Sequence, residues 1–110
     1  MKLPYRKNAY IPKEKLTEYV LSEAHTVGRL KAKYFIAAGF DKTTASILKR
    51  HLLAIAHSQE VKEVIISLYG KKYVIDGKIR GPSGKVLKVT TIWIIETGQK
   101  FPRFVTTYPV

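Results

Sequence analysis

At 110 residues the chain has the size of one domain with a single modest core. Its 20 Lys+Arg against 8 Asp+Glu give a formal net charge of +12, the balance of a protein that meets polyanions. It has no cysteine, which excludes disulfides, thiolate nucleophiles and zinc knuckles. The three histidines, at positions 25, 51 and 57, show no metal-ligand spacing, so no metal or other cofactor is expected.

The opening Met-Lys-Leu-Pro-Tyr-Arg lacks the apolar run of a secretion signal. No apolar segment approaches the roughly 20 residues of a membrane span. A cytoplasmic protein without membrane contact is the expectation.

The hydrophobic period changes along the chain, helical over about 12–58 and strand-like over about 61–108. Pro12 suits the first turn of a helix, and Leu16, Tyr19 and Val20 follow on one face. A break over 22–26 leads to a second helix over 26–38. A third is expected over 43–57, capped by Asp41 or Thr43, with Ile47, Leu48, Leu52 and Ile55 as its buried stripe. His51 lies beside that stripe and reads as a packed or rim histidine; His57 sits where a helix C-terminus favours positive charge.

Strands are expected over 61–68, 72–80, 86–96 and 103–108, with Tyr69-Gly70 and Gly81-Pro82-Ser83-Gly84 as turns. Short connections make these an antiparallel meander. The expected fold is α+β, one domain over 1–110: two to three N-terminal helices on one face of a four-stranded antiparallel β-sheet.

On a helical wheel, Val27, Leu30, Tyr34, Phe35, Ala37 and Ala38 share one side, and Lys31 falls inside that arc. Lys31 has two readings: its ammonium snorkels to the rim, or it reaches across the seam between helix and sheet to a phosphate. Arg29 and Lys33 lie on the opposite side of the wheel. His25 either stays in an exposed loop or serves a site at the helix N-terminus. Gly28 either permits close packing or lets an anion approach the free N–H groups there. On the third strand Val89, Thr91, Trp93 and Ile95 alternate with Lys88, Thr90, Ile92 and Ile94; on the fourth Phe104, Thr106 and Tyr108 alternate with Arg103, Val105 and Thr107. Such threonines and aromatics supply hydrogen bonds and base stacking, or else cross-strand pairs that stabilise the sheet.

Several of these residues carry a resemblance: His25, Gly28, Lys31-Ala32 and Phe35, then Tyr73-Val74, Gly81-Pro82-Ser83-Gly84, Thr91 with Trp93, Pro102-Arg103, and Thr106 with Tyr108. In that pattern the chain resembles, over nearly its full length, a family of short, uncharacterised bacterial proteins common in cyanobacteria. It departs at Thr26, where proline is frequent, and at Leu30, where many relatives have a second polar or basic residue. The order of helices and four strands is similar to the ribonuclease toxin superfamily that includes barnase, RelE and the tRNase colicins.

That resemblance implies a metal-independent endoribonuclease of toxin type, with RNA as substrate and an acidic antitoxin protein as a further partner. His25 would be the general acid or base, its ordinary pKa lying nearest working pH. Lys31 and Arg103 would hold phosphate, and Thr91, Thr106 and Tyr108 would orient it. Arg29, Lys33, Lys88 and Trp93 would contact the nucleic acid. Two further readings stay open: a non-catalytic nucleic-acid-binding module, and an interaction domain for a small acidic protein.

Overall fold

The computed structural model describes residues 1–17, 21 and 29–110. Among them, a 3-10 turn at Arg6–Asn8 precedes α1 (Arg29–Ala37) and α2 (Ala45–Ser58). Four strands follow: β1 (Glu63–Ser67), β2 (Gly70–Arg80), β3 (Val86–Glu96) and β4 (Arg103–Pro109). They form one antiparallel sheet in the order β1-β2-β3-β4, the meander that two- to six-residue connections dictate. With both helices packed against it, the fold is α+β, as the change of period predicts.

Of the first expected helix, Leu16 is buried and the Leu21 N–H donates to its carbonyl (2.7 Å); Tyr19 and Val20 lie outside the described residues. The third expected helix is α2. Its buried residues, Leu48, Leu52, Ile55 and Ala56, recur at helical spacing. Thr44, one residue beyond the expected Thr43, occupies its N-cap position. Asp41 organises the approach: its Oδ1 accepts from the N–H groups of Thr43 (2.7 Å) and Thr44 (3.1 Å). His51 stands at the rim, edge-on to Phe40 at 6.4 Å between ring centres.

The core lies between the helices and one face of the sheet. Phe35, Phe40, Leu48 and Leu52 meet Tyr73, Ile75, Ile79, Val89, Trp93 and Phe104 there. Trp93 is 0% exposed and packs edge-on against Phe104 at 5.3 Å. Its indole N–H donates to Thr91 Oγ1 (2.9 Å), whose hydroxyl donates in turn to the Ile75 carbonyl (2.8 Å). The indole nitrogen and the Thr91 hydroxyl, both buried, are thereby satisfied.

α1 ends in a Schellman motif. Gly39 takes φ +96°; the Phe40 N–H donates to the Phe35 carbonyl (3.0 Å) and the Gly39 N–H to that of Ile36 (2.9 Å). The freed carbonyl of Ala38 accepts from the Ser83 N–H in the β2–β3 turn (3.0 Å). This junction is tight. A Cβ on Gly81 would lie 2.0 Å from the Ala38 carbonyl oxygen, so the helix end and the turn meet only because position 81 has no side chain.

β4 departs from simple alternation. Ile92 pairs with Thr106 but Trp93 pairs with Phe104, so Val105 is the extra residue of a β-bulge. Phe104 and Thr107 therefore face the helices, while Arg103, Thr106 and Tyr108 face away. The expected grouping of Phe104 with Thr106 and Tyr108 is corrected by that one inserted residue.

Gly81→Ala is expected to cost about 1–3 kcal/mol, the range for forcing atoms into a packed site. Ser83→Ala should stay within about 0.5 kcal/mol, because only its backbone bonds across the junction. Thermal melts of the two variants check this; equal melting temperatures would contradict the account of the junction.

Candidate nucleic-acid interface

α1 is anchored at Ala38, and its other end reaches β4. Ala32, Phe35 and Ala38 are buried, whereas Tyr34, inside the expected apolar arc, is 56% exposed. Lys31 is half-buried, and its Nζ lies 5.6 Å from the centre of the Tyr108 ring, within cation–π range. The half-buried side chain thus carries the ammonium to the helix–sheet seam.

Tyr108 stands on the face of the sheet turned away from α2. The register sets out that face in rows: Tyr108, Thr90 and Asp76; Thr106, Ile92 and Val74; Arg103, Ile94 and Lys72. Beyond the first row, Lys88 and Lys78 stand directly opposite each other, and the Val110 N–H donates to the Lys88 carbonyl (2.9 Å). Like charges facing across a strand pair are destabilising by a few tenths of a kcal/mol. An anion lying over them would reverse that sign.

A cleft of about 440 Å³ is bounded by Lys31, Tyr34, Tyr108, Pro109 and Val110. A second, of about 400 Å³, is bounded by Lys33, Tyr34, Ala37 and Lys85. Tyr34 borders both, so lysine side chains and exposed tyrosine rings alternate along this side of α1. Basic side chains interleaved with aromatic rings are how single-stranded nucleic acid is held without regard to sequence.

Of the expected site residues, the structure sets Lys31 beside Tyr108; Thr106, Arg103 and Lys88 share the sheet face of Tyr108 but stand in other rows along it, Arg103 opposite Ile94 and Tyr108 opposite Thr90. The Arg103 guanidinium is ion-paired with Glu96. Thr106 Oγ1 is buried without a hydrogen-bond partner, a hydrogen-bonding capacity the chain leaves unused. Lys33 is exposed on α1, and Arg29 is that helix's first residue. His25 and Gly28 lie outside the described residues.

Two expectations are corrected. Thr91 and Trp93 face the helices and are both 0% exposed, so Trp93 has no free ring face for a base and the Thr91 hydroxyl is spent within the core. Their joint placement on one face is as the alternation predicts; that face is the covered one. Two residues of the clefts are not among those expected: Tyr34, which the helical wheel assigns to the apolar side, and Lys85, whose place beside the Gly81–Gly84 turn is the one signal the sequence offers.

Asp76 is a carboxylate of this face, opposite Thr90. The Thr90 hydroxyl (2.7 Å) and then the Lys62 ammonium (3.1 Å) donate to it and hold it below the ordinary carboxylate value. Among the described residues no three acidic or histidine side chains cluster as metal ligands, and no helix is long and apolar enough to cross a membrane.

The fold and this face define a class, a small basic α+β protein with a lysine–tyrosine groove at the edge of its sheet. Residues 2–110 match the family model described as "Domain of unknown function (DUF6883)", and the chain belongs to that family. Its fold is similar to a chain of a "Contact-dependent growth inhibition toxin - immunity protein complex from Klebsiella pneumoniae 342". That likeness has a TM-score of 0.72 at 19% identity and covers 96% of each chain. No curated protein matches the sequence.

A depressed carboxyl pKa adds stability above the unfolded-state value near 3.8, and the gain is lost as pH falls through the lower folded value. Thr90→Val should therefore lower the melting temperature at pH 7. The difference from wild type should shrink as pH falls below the ordinary carboxylate value and Asp76 protonates. Melts across pH 2–7 test this; a difference independent of pH would contradict it.

Proposed function

We propose that this protein is a toxin-type endoribonuclease that cleaves RNA without a metal ion. The observation that carries the reading is Lys31 poised over Tyr108: residues 77 positions apart, one from the helix motif and one from the last strand, meet beside a basic groove. The likeness in fold to a chain of a toxin–immunity complex supports the toxin class.

In the proposed reaction a ribose 2′-oxygen attacks the adjacent phosphorus while its proton passes to a base. The bond from phosphorus to the 5′-oxygen breaks, and that oxygen takes a proton from an acid. The products are a 2′,3′-cyclic phosphate and a free 5′-hydroxyl. His25 serves the proton transfers. Lys31 holds the phosphate and stabilises the charge that develops on it, and Arg103, further along the same face and kept in place by Glu96, holds a neighbouring phosphate. Thr106 and Tyr108 orient the phosphate, and Arg29, Lys33 and Lys88 bind the flanking strand. Cytoplasmic RNA is the substrate, and a small acidic protein is the neutralising partner.

A second reading, a nucleic-acid-binding module without catalysis, draws on the same groove and on the burial of Thr91, which removes one expected group from the site. The two separate on one experiment. Wild-type protein incubated with total RNA in EDTA should yield 2′,3′-cyclic phosphate ends. His25→Ala should lower the rate by 10²-fold or more, the usual worth of general acid–base catalysis, and Lys31→Ala by at least ten-fold. Salt-sensitive binding of intact RNA that survives His25→Ala would instead establish the binding module.

A further inference from the structure

The two edges of the sheet are treated differently. At the β4 edge, Tyr10 bridges to Arg103: its N–H donates to the Pro102 carbonyl (3.0 Å), and the Phe104 N–H donates to the Tyr10 carbonyl (2.9 Å). α1 packs along the same strand. β1, at the opposite edge, pairs only with β2 among the described residues, so alternate N–H and C=O groups along it point outward.

Such edges are ordinarily guarded by charge, proline or a covering element, because a free edge recruits another strand. β1 reads Glu-Val-Ile-Ile-Ser, and all five residues are exposed. Ile66 is 74% exposed, and the apolar surface continues through the turn with Leu68 at 94% and Tyr69 at 79%. Neither proline nor an inward charge interrupts it. Surface of that kind on a small, highly charged protein marks an interaction site.

We propose that the free edge of β1 is a docking strand for an acidic protein, which adds a strand to the sheet and covers Val64, Ile66 and Leu68. Backbone hydrogen bonds would supply affinity and alternate side chains specificity. Charge selects the occupant. Lys72 and Lys71 stand on β2 directly opposite Ile65 and Ile66, so the apolar edge is backed by two cations. A second copy would bring another +12 to the same edge, which like-charge repulsion opposes; a strand flanked by carboxylates gains from both features. The partner's role rests on the toxin reading above, whereas its place rests on the edge alone. β1 and β4 bound opposite sides of the sheet, so docking there leaves the Lys31–Tyr108 groove uncovered.

The probe is a blocked ten-residue peptide of alternating valine and glutamate, added to the full ¹⁵N-labelled chain. Amide exchange across residues 63–67 should slow at least ten-fold. A matched peptide with proline at every second valine, lacking those N–H donors, should leave exchange unchanged. Ile66→Lys should abolish the protection at an unaltered melting temperature, since that side chain is largely in solvent. Unchanged exchange at β1, protection confined to residues around Lys31 and Tyr108, or equal action of the proline peptide would overturn the assignment. So would a dimer by sedimentation without peptide, which would make a second copy the occupant. None of these readouts depends on RNA cleavage, so either proposal can fail without the other.

Discussion

One backbone hydrogen bond, from the Ser83 N–H to the Ala38 carbonyl, fixes where the chemistry-bearing helix sits. It joins the end of α1 to the β2–β3 turn and requires glycine at 81 to admit the carbonyl. Gly39 turns the chain away just beyond it, and Phe35 and Phe40, bonded through their backbones, are both buried. From Ala38 back to Lys31 the helix rises about 10 Å, enough to carry the ammonium from the turn to the rim of β4. The groove is a consequence of that span: pinned at one end, the helix lays its basic rim against Tyr108.

Electrostatics then give the face its character. Lys78 opposite Lys88, with Lys31, Lys33 and Lys85 nearby along the clefts, stores repulsion that a polyanion relieves. Of the acidic groups described on the same face, Asp76 and Glu96 are each engaged by a cation, and Glu63 stands opposite Val74 on β1. These pairs hold Lys62 and Arg103 in place. Long-range attraction of this kind hastens encounter with a polyanion and weakens with salt. On the proposed reading that polyanion is RNA, and the local arrangement of His25, Lys31 and the outward residues of β4 would determine what happens next.

Much of this was legible in the sequence, and the exceptions have physical causes. Periodicity located α2 and all four strands to within a few residues, α2 by its buried stripe and the strands by their β-branched and aromatic runs between turn residues. The Gly81–Gly84 turn declared itself because its residues tolerate little else. Alternation also sorted β3 correctly into two faces, but it carries no information on which face the helices cover; Thr91 and Trp93 therefore went to the core. The bulge at Val105 was invisible, since one inserted residue leaves no compositional mark. It nevertheless decides that Arg103 shares a face with Thr106 and Tyr108. For α1 the wheel overstated the apolar arc, because Tyr34 keeps its ring in solvent where the helix overhangs the edge of the sheet.

The central claim is that the α1–β4 groove is where nucleic acid lies, and photocrosslinking reads that position directly. A short single-stranded RNA carrying 4-thiouridine, irradiated with the full chain at low salt and mapped by mass spectrometry, should label Tyr34 and Tyr108, with labelling lost in Lys31→Ala. Crosslinks confined to the β1 edge or to α2, or an unchanged pattern in Lys31→Ala, would contradict the account.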